Sequence, residues 1–189
     1  MAWAPDYAEV DDLAAYTRIP DDADDVQLGL AIATASRGID DHCRRQFGLV
    51  AAPEARHYPV RWDARRGQYV ADIDDLMTTT GLELDGEAVA DPLLLPRNAA
   101  AKGGPWTTLV LSDAPAREVE ITARWGWAEV PDAIVQACLL QASRLFSRRN
   151  SPYGVAGSPD TGSELRLLAK VDPDVAVALR PYRKLVAPR

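Results

Sequence analysis

Residues 119–157, VEITARWGWAEVPDAIVQACLLQASRLFSRRNSPYGVAG, decide the fold class of this chain of 189 residues. Apolar and polar residues alternate over Val119–Arg124, with the period of a half-buried β-strand. Val130-Pro131-Asp132 then predicts a helix start, because the fixed φ of proline and its missing N–H suit a first turn. Apolar residues recur along this helix at steps of four, four and three: Ile134, Cys138, Ala142 and Leu145. The stretch therefore predicts a strand followed by a long helix over about 132–149, and it contains no catalytic motif.

The composition is that of an ordinary globular protein. Hydrophobic residues make up 47% of the chain and charged residues 26%, which argues against wholesale disorder. No apolar run is long enough to span a bilayer, and the N-terminal residues 1–12 are acidic where a signal peptide would be basic. We therefore expect an intracellular protein that does not contact a membrane. In a reducing cytosol, Cys43 and Cys138 are expected to be buried free thiols.

The charge is acidic in sum and uneven along the chain. The formal net charge of −7 argues against a general DNA-binding surface. Residues 1–46 hold ten acids and four bases, whereas residues 162–189 hold three acids and six bases. Two interpretations stay open: ordinary solvated surfaces, or opposite ends that meet different partners or meet head to tail in a ring.

A second helix is predicted before residue 50. Asp24 or Asp22 is expected to cap its start. Its apolar face is formed by Leu28, Ile32, Ala35, Ile39 and Cys43. The helix is expected to reach about Gln46, with Arg44 and Arg45 in its last turn and Gly48 as the left-handed cap.

Two shorter helices are predicted near the ends of the chain. The first covers residues 7–17, with Leu13 and Tyr16 as core contacts. The other covers Pro173–Leu179, where Asp172 supplies the N-cap and proline the first position.

Residues 50–125 differ from their surroundings. Short alternating runs are separated by Gly, Pro, Asp and Asn, and Asp85-Gly86 is a hairpin signal, which together predict five or six antiparallel strands. The predicted fold is therefore α+β. It has an N-terminal helical part of the core (1–49), an inserted β subdomain (50–125), and a C-terminal helical part with a basic tail (126–189).

No group of residues converges on catalysis or metal binding. A triad through His42 would lack a nucleophile elbow, and His42 with Cys43 has no second Cys/His pair to complete a metal site. His57 is the only other histidine. The aspartates at 21–25 lack the spacing of a calcium loop. A third acidic group consists of Asp72, Asp74 and Asp75. We interpret it as a charged turn rather than as a general acid–base pair. We expect no enzyme activity, metal or cofactor.

Paired arginines near the end of the long helix require an explanation. Arg144 and Arg148 lie four residues apart on one helix face and repel each other. Either solvent and local acids compensate, or an acidic patch on a neighbouring subunit does so, such as residues 21–25.

Three groups of motifs follow one another along the chain. The first is a short Tyr/Leu helix, an acidic N-cap and a helix ending in Arg-x-Phe: Tyr7–Tyr16, Asp21–Asp25 and Arg45-Gln46-Phe47. The second is a strand that leads through Gly-x-x-x-Val-Pro into an alanine-rich helix with paired arginines: Val119–Trp125, Gly126–Pro131 and Ala133–Arg149. The third is an Asp-Pro helix followed by a tyrosine–arginine tail: Asp172-Pro173-Asp174 and Tyr182-Arg183. In this order, the motifs resemble those of the head–tail connector, or neck adaptor, proteins of long-tailed double-stranded DNA bacteriophages and gene transfer agents.

The resemblance implies a structural protein of the virion neck, present in the host cytoplasm during assembly. It implies a homo-oligomeric ring, dodecameric beneath the portal protein, whose subunits can be monomers when free. The C-terminal segment would dock on the portal, and the other face would receive a stopper or tail-completion protein. Double-stranded DNA would pass through the centre without specific binding. Two alternatives are a tail-completion or stopper protein of the same virion, and a small enzyme or regulatory domain.

The resemblance also implies which residues form the interfaces. A subunit or portal interface would include Arg144, Arg148, Arg149, Tyr153, Asp172, Tyr182, Arg183 and Lys184. An acidic interface or channel lining would include Asp21, Asp22, Asp24 and Asp25. The small members of the family lack a module as large as residues 50–125, which we expect to decorate the outside or contact the tail side.

Overall fold

The computed structural model describes residues 4–112, 117–149, 155–156, 165–166 and 172–184. Within these ranges it contains four α-helices and a seven-stranded antiparallel sheet, so the predicted α+β class is confirmed. The chain divides into two compact units. One contains Gln46–Glu129, and the other contains Pro5–Arg45 together with the residues from Val130 onward. The predicted three-part division into 1–49, 50–125 and 126–189 stays a prediction.

The helical unit is built on a pair of long helices. Its helices are α1 (Val10–Thr17), α2 (Asp25–Cys43), α3 (Asp132–Arg148) and α4 (Pro173–Leu179), followed by a 3₁₀ turn at Arg180–Tyr182. The predicted apolar face of α2 is buried throughout, and α3 buries Ile134, Cys138 and Ala142. Cys43 and Cys138 are both buried free thiols, as predicted. Burial of a side chain such as Leu28 or Ile32 contributes about 1.5–3 kcal/mol to folding, so this helix pair carries most of the unit's core.

The aromatic contact predicted for α1 is wrong. Leu13 is fully buried, but Tyr16 is 47% exposed. In the eight-residue helix α1, Leu13 is the one buried residue, so the contact with the core is narrower than the predicted pair. Tyr7 is buried instead, with its hydroxyl on Asp40 and its N–H donating to Ser36 Oγ at 3.0 Å.

Both ends of α2 differ from the prediction. Asp24 occupies the N-cap position, but its carboxylate accepts no N–H from the helix because it pairs with Arg149 instead. The helix ends at Cys43, and Arg44 rather than Gly48 takes the left-handed conformation, with φ of 55°. The N–H groups of Arg44 and Arg45 both donate to the carbonyl of Asp40. The two arginines thus lie at the helix cap and just beyond it, not in the last turn.

The other unit is the antiparallel sheet. Its strands are β1 (Glu54–Asp63), β2 (Gln68–Leu76), β3 (Glu83–Leu84), β4 (Glu87–Ala88), β5 (Leu93–Leu95), β6 (Trp106–Leu111) and β7 (Glu118–Ala123), in the order β4-β3-β7-β1-β2-β6-β5. A 3₁₀ turn at Ala100–Lys102 lies between β5 and β6. Separate two-residue strands at Val155–Ala156 and Leu165–Arg166 pair with each other.

The sequence does not predict the seventh strand, β4, because Glu87–Ala88 has no apolar alternation. This strand is recognised only by its pairing with β3. The turn between β3 and β4 is the predicted one. Asp85 and Gly86 have φ of 50° and 82°, and two consecutive positive values are what the tight I′ hairpin turn requires. In β7, Val119, Ile121 and Ala123 are buried, which confirms the predicted alternation.

The predicted charged turn at residues 72–75 is wrong, because these aspartates lie within β2. Asp72 and Asp74 accept hydrogen bonds from Arg61 and Arg56 of the neighbouring strand β1. Pairing with these arginines lets the carboxylates remain on a strand. Asp75 is buried and accepts a hydrogen bond from Trp127 Nε1 at 2.8 Å.

Gly126 closes the sheet unit after β7. It has φ of 113°, and a Cβ at this position would lie 1.7 Å from the carbonyl oxygen of Gly48. Its N–H donates to the carbonyl of Asp75 at 2.7 Å, and the N–H of Trp127 donates to the carbonyl of Gly48 at 2.8 Å. Only glycine fits a backbone approach this close at a positive φ.

Candidate assembly interface

The arginines of α3 find acidic partners within the same chain. Arg144 pairs with Asp172, the residue that caps α4 by accepting the N–H of Asp174 at 2.8 Å. Asp172 therefore serves two roles: one oxygen starts α4, and the other ties α4 to α3. Arg144 and Asp172 are both largely shielded from solvent, which strengthens such a pair relative to a surface one.

Arg149 makes the second pair. Its Nη2 donates to Asp24 Oδ2 at 2.7 Å, and its guanidinium carbon lies 3.7 Å from the centre of the Phe146 ring. Stacking on an aromatic ring and an ion pair both restrict the guanidinium. The end of α3 is thereby joined to the start of α2, so the two helices run antiparallel.

The remaining predicted interface residues are spread over the helical unit. Arg148 and Tyr182 are half-buried, Arg183 is exposed, and Tyr153 lies outside the described residues. In the predicted acidic group, Asp21 and Asp22 are exposed and Asp25 is half-buried beside Asp24.

A basic end forms where α2 finishes. The N–H of Lys184 donates to the carbonyl of Cys43 at 2.8 Å, so the chain after α4 returns to the last residue of α2. Burial raises the pKa of the Cys43 thiol to about 11, while Arg45 and Arg183 act in the opposite direction through their positive charge. Both arginines therefore lie near Cys43. We call Arg44, Arg45, Arg183 and Lys184 the basic end.

An apolar groove lies at the opposite half of α2. Val26 is 73% exposed and Leu30 is 65% exposed. The groove lies between α2 and α3, where it is lined by Leu30, Ala31, Thr34, Leu145, Phe146 and Arg149. The sequence does not predict this groove, because the apolar periodicity of α2 marks only its buried face. The available signal was that Val26 and Leu30, four residues apart, fall outside that face.

The candidate catalytic residues do not converge. His42 is half-buried on α2, and His57 is exposed on β1, where its Nε2 lies 3.5 Å from Glu120 Oε2. Across the described part of the chain, no three histidine, cysteine or carboxylate side chains are grouped as metal ligands would be. None of the helices described is both long and apolar enough to cross a membrane.

Comparison with solved structures finds chains of similar fold. The chain resembles a chain from a structure described as the neck of an empty GTA particle computed with sixfold (C6) symmetry, with a TM-score of 0.57 and 18% sequence identity. The match covers 100% of this chain and 95% of the other. The two chains share a fold. No protein-family model matches the sequence, and a search of curated proteins gives no match either.

Proposed function

We propose that this protein is the head-to-tail adaptor of a tailed phage or a related particle. In this role it forms a ring beneath the portal, links the DNA-filled head to the stopper or tail, and lines the DNA channel. The observation that carries the proposal is the likeness in fold, over the full length of the chain, to a neck component. Sequence motifs at both ends and in the middle of the chain point to the same family.

The helical unit favours an adaptor over the alternative of a stopper or tail-completion protein. The family resemblance ties the adaptor role to an acidic-capped helix and to an alanine-rich helix with paired arginines. These correspond to α2 and α3, whose packed faces form the core of their unit. A stopper or tail-completion protein is expected to consist mainly of β-structure, and for that reason it is the second candidate.

The adaptor role implies which partners the protein has and where it acts. The protein assembles with copies of itself, twelve when bound to the portal, and its subunits can be monomers when free. It resides in the virion neck after assembly in the host cytoplasm, and it acts without catalysis or cofactor. The net charge of −7 suits a DNA channel, because a surface that repels phosphate lets DNA slide without binding.

The contacts within the helical unit refine the roles of the predicted interface residues. Arg144 and Asp172 bind each other, so we assign them to positioning α4 on α3. Arg183 is a candidate for direct portal contact because it is exposed at the basic end, and the family resemblance gives the same role to the residues beyond Lys184. Asp21 and Asp22 are exposed and remain candidates for the acidic interface or channel lining.

A truncation tests the proposal. Deleting residues 171–189 would remove Val175 and Leu179, each 1% exposed, from the core. A loss of binding could then result from unfolding instead of from a lost contact. Ending the chain after Lys184 retains both side chains and removes only residues 185–189. We expect this shortened protein to melt at nearly the same temperature as the full chain and to lose binding to portal-containing, DNA-filled, tailless heads.

The control is Lys102→Ser in the 3₁₀ turn of the sheet unit, which should bind like the wild type. Full binding by the shortened protein would show that residues 185–189 are not needed for contact with the portal. Absence of wild-type binding to these heads, together with binding to isolated tails, would favour the stopper or tail-completion role.

A further inference from the structure

We propose that the apolar groove between α2 and α3 is the contact site for a second copy of this chain. The second copy would present the end of its α2, with Arg44 and Arg45, to the acid-rimmed groove of the first. The inference rests on the proposed function, because a ring requires each copy to use two different surfaces. It goes further by stating which surfaces these are.

The first observation is the exposure of apolar side chains. Val26 and Leu30 are 73% and 65% exposed and lie four residues apart on one face of α2. Leu30 lines the groove together with Leu145 and Phe146 of α3, which are only partly covered, and Val26 lies one helical turn before Leu30. A continuous group of large apolar side chains on a surface otherwise rich in charge marks an interaction site more often than a lone exposed residue does.

The second observation is the charge around the groove. Asp21, Asp22, Asp24 and Asp25 lie just before and at the start of α2, within six residues of Gln27, which lines the groove; we call them the acidic rim. Arg149 lines the groove but already pairs with Asp24. The rim therefore remains negative in sum and would attract a basic surface.

The third observation is that the same unit carries such a basic surface at its other end. Arg44 caps the end of α2, and Lys184 is hydrogen-bonded to Cys43 there. With 19 residues, α2 separates the acidic rim from the basic end by about 28 Å at 1.5 Å per residue. Two copies would attract each other head to tail, whereas two acidic rims or two basic ends would repel.

This arrangement suits a ring rather than a closed dimer. A head-to-tail contact leaves one groove and one basic end unused in every pair, so copies keep adding until the ring closes. The proposed function assigns the tail beyond Lys184 to the portal. For that reason we assign the subunit contact to Arg44 and Arg45, which directly follow Cys43 at the end of α2.

A photocrosslinking experiment tests the proposal. In Leu30→Cys, the introduced thiol is exposed while both native cysteines are buried, so benzophenone-maleimide labels position 30 selectively. The labelled chain is bound to portal-containing heads, irradiated and separated by mass. The matched control is Val177→Cys, which replaces another exposed apolar residue, 72% exposed, on α4 of the same unit.

We expect position 30 to give an adduct of two copies, twice the 20.6 kDa of one chain, mapped by peptide mass to residues 40–45 of the second copy. The control should give little or none of this adduct. An adduct that joins position 30 to position 30 of the second copy, an adduct with a different protein, or no adduct on occupied heads would overturn the proposal while the adaptor role stood. Failure of the wild-type chain to join heads would overturn the proposed function itself, and the two failures are thus distinguishable.

Discussion

Arg149, just beyond the end of α3, pairs with Asp24 at the start of α2, 125 residues earlier in the chain. Asp24 belongs to the segment 21–25, which the sequence analysis offered as an acidic patch on a neighbouring subunit, as the alternative to solvent and local acids. The structure therefore supplies a compensating acid from within the chain. This pair also explains why Asp24 does not cap α2 with its own side chain.

Neutralising Arg149 is expected to have a small effect on folding. The pair is about one-third exposed on each side, and exposed ion pairs contribute about 0.2–1 kcal/mol. Arg149→Gln should therefore lower the free energy of unfolding by less than about 1 kcal/mol. Urea denaturation of Arg149→Gln, Asp24→Asn and the double variant measures the coupling. A loss above 3 kcal/mol would mean that the pair holds the unit together.

Removing Arg144 is expected to cost more. Its partner Asp172 is shielded and caps α4, so Arg144→Leu leaves a carboxylate without its cation at a cost of about 1–3 kcal/mol. Because the lost contact ties α4 to α3, hydrogen exchange should accelerate in Pro173–Leu179 more than in α2. Asp174→Ala is the control, since its carboxylate is exposed. Uniform acceleration across the helical unit would contradict a local role.

Adding one methyl group at Gly126 is expected to lower the stability of the protein strongly. Because a Cβ would lie 1.7 Å from the Gly48 carbonyl oxygen at a φ of 113°, Gly126→Ala must displace backbone and should cost about 3 kcal/mol or more. Gly67→Ala is the matched control, because it also has a positive φ but no atom within 4 Å of the new Cβ. Thermal melts compare the two variants. Equal losses would show that the left-handed conformation, not the close approach, sets the cost.

Because the pKa of the Cys43 thiol is raised, we expect the protein to lose stability at alkaline pH. Burial raises its pKa from 9.0 to about 11, so the folded state keeps a proton that the unfolded chain releases from about pH 9 upward. The stabilising contribution is therefore complete below pH 9 and is lost as the pH rises towards 11. Other groups titrate in this range, so the test is the difference in unfolding free energy between wild type and Cys43→Ala at pH 8 and pH 10.5. That difference should shrink at the higher pH, and a constant difference would contradict the assignment.

Much of the fold could be read from the sequence because burial leaves a periodic pattern. The α2 face through Leu28 and Ile39, the alternation in β7 and the Asp172-Pro173 start of α4 all follow from local rules. Strand β4 could not be found this way, since it exists only through its pairing with β3. The helix cap at Arg44 was also missed, because a positive φ is unfavourable for arginine and the nearby Gly48 is the residue that local rules favour for it.

The candidate interface was only partly accessible from sequence. The motifs selected the acidic residues at 21–25 and the arginines of α3, but they could not tell contacts within a chain from contacts between chains. The pairs Arg144–Asp172 and Arg149–Asp24 each join residues distant in sequence. The groove at Leu30 depends on exposure, which periodicity alone does not reveal.

The most direct test of the adaptor role is electron cryomicroscopy of the neck after the chain is added to portal-containing, DNA-filled, tailless heads. We expect a twelvefold ring of this chain below the portal, with residues 185–189 against the portal and the groove at Leu30 covered by the next copy. Heads that remain bare, while the same chain binds isolated tails, would contradict it.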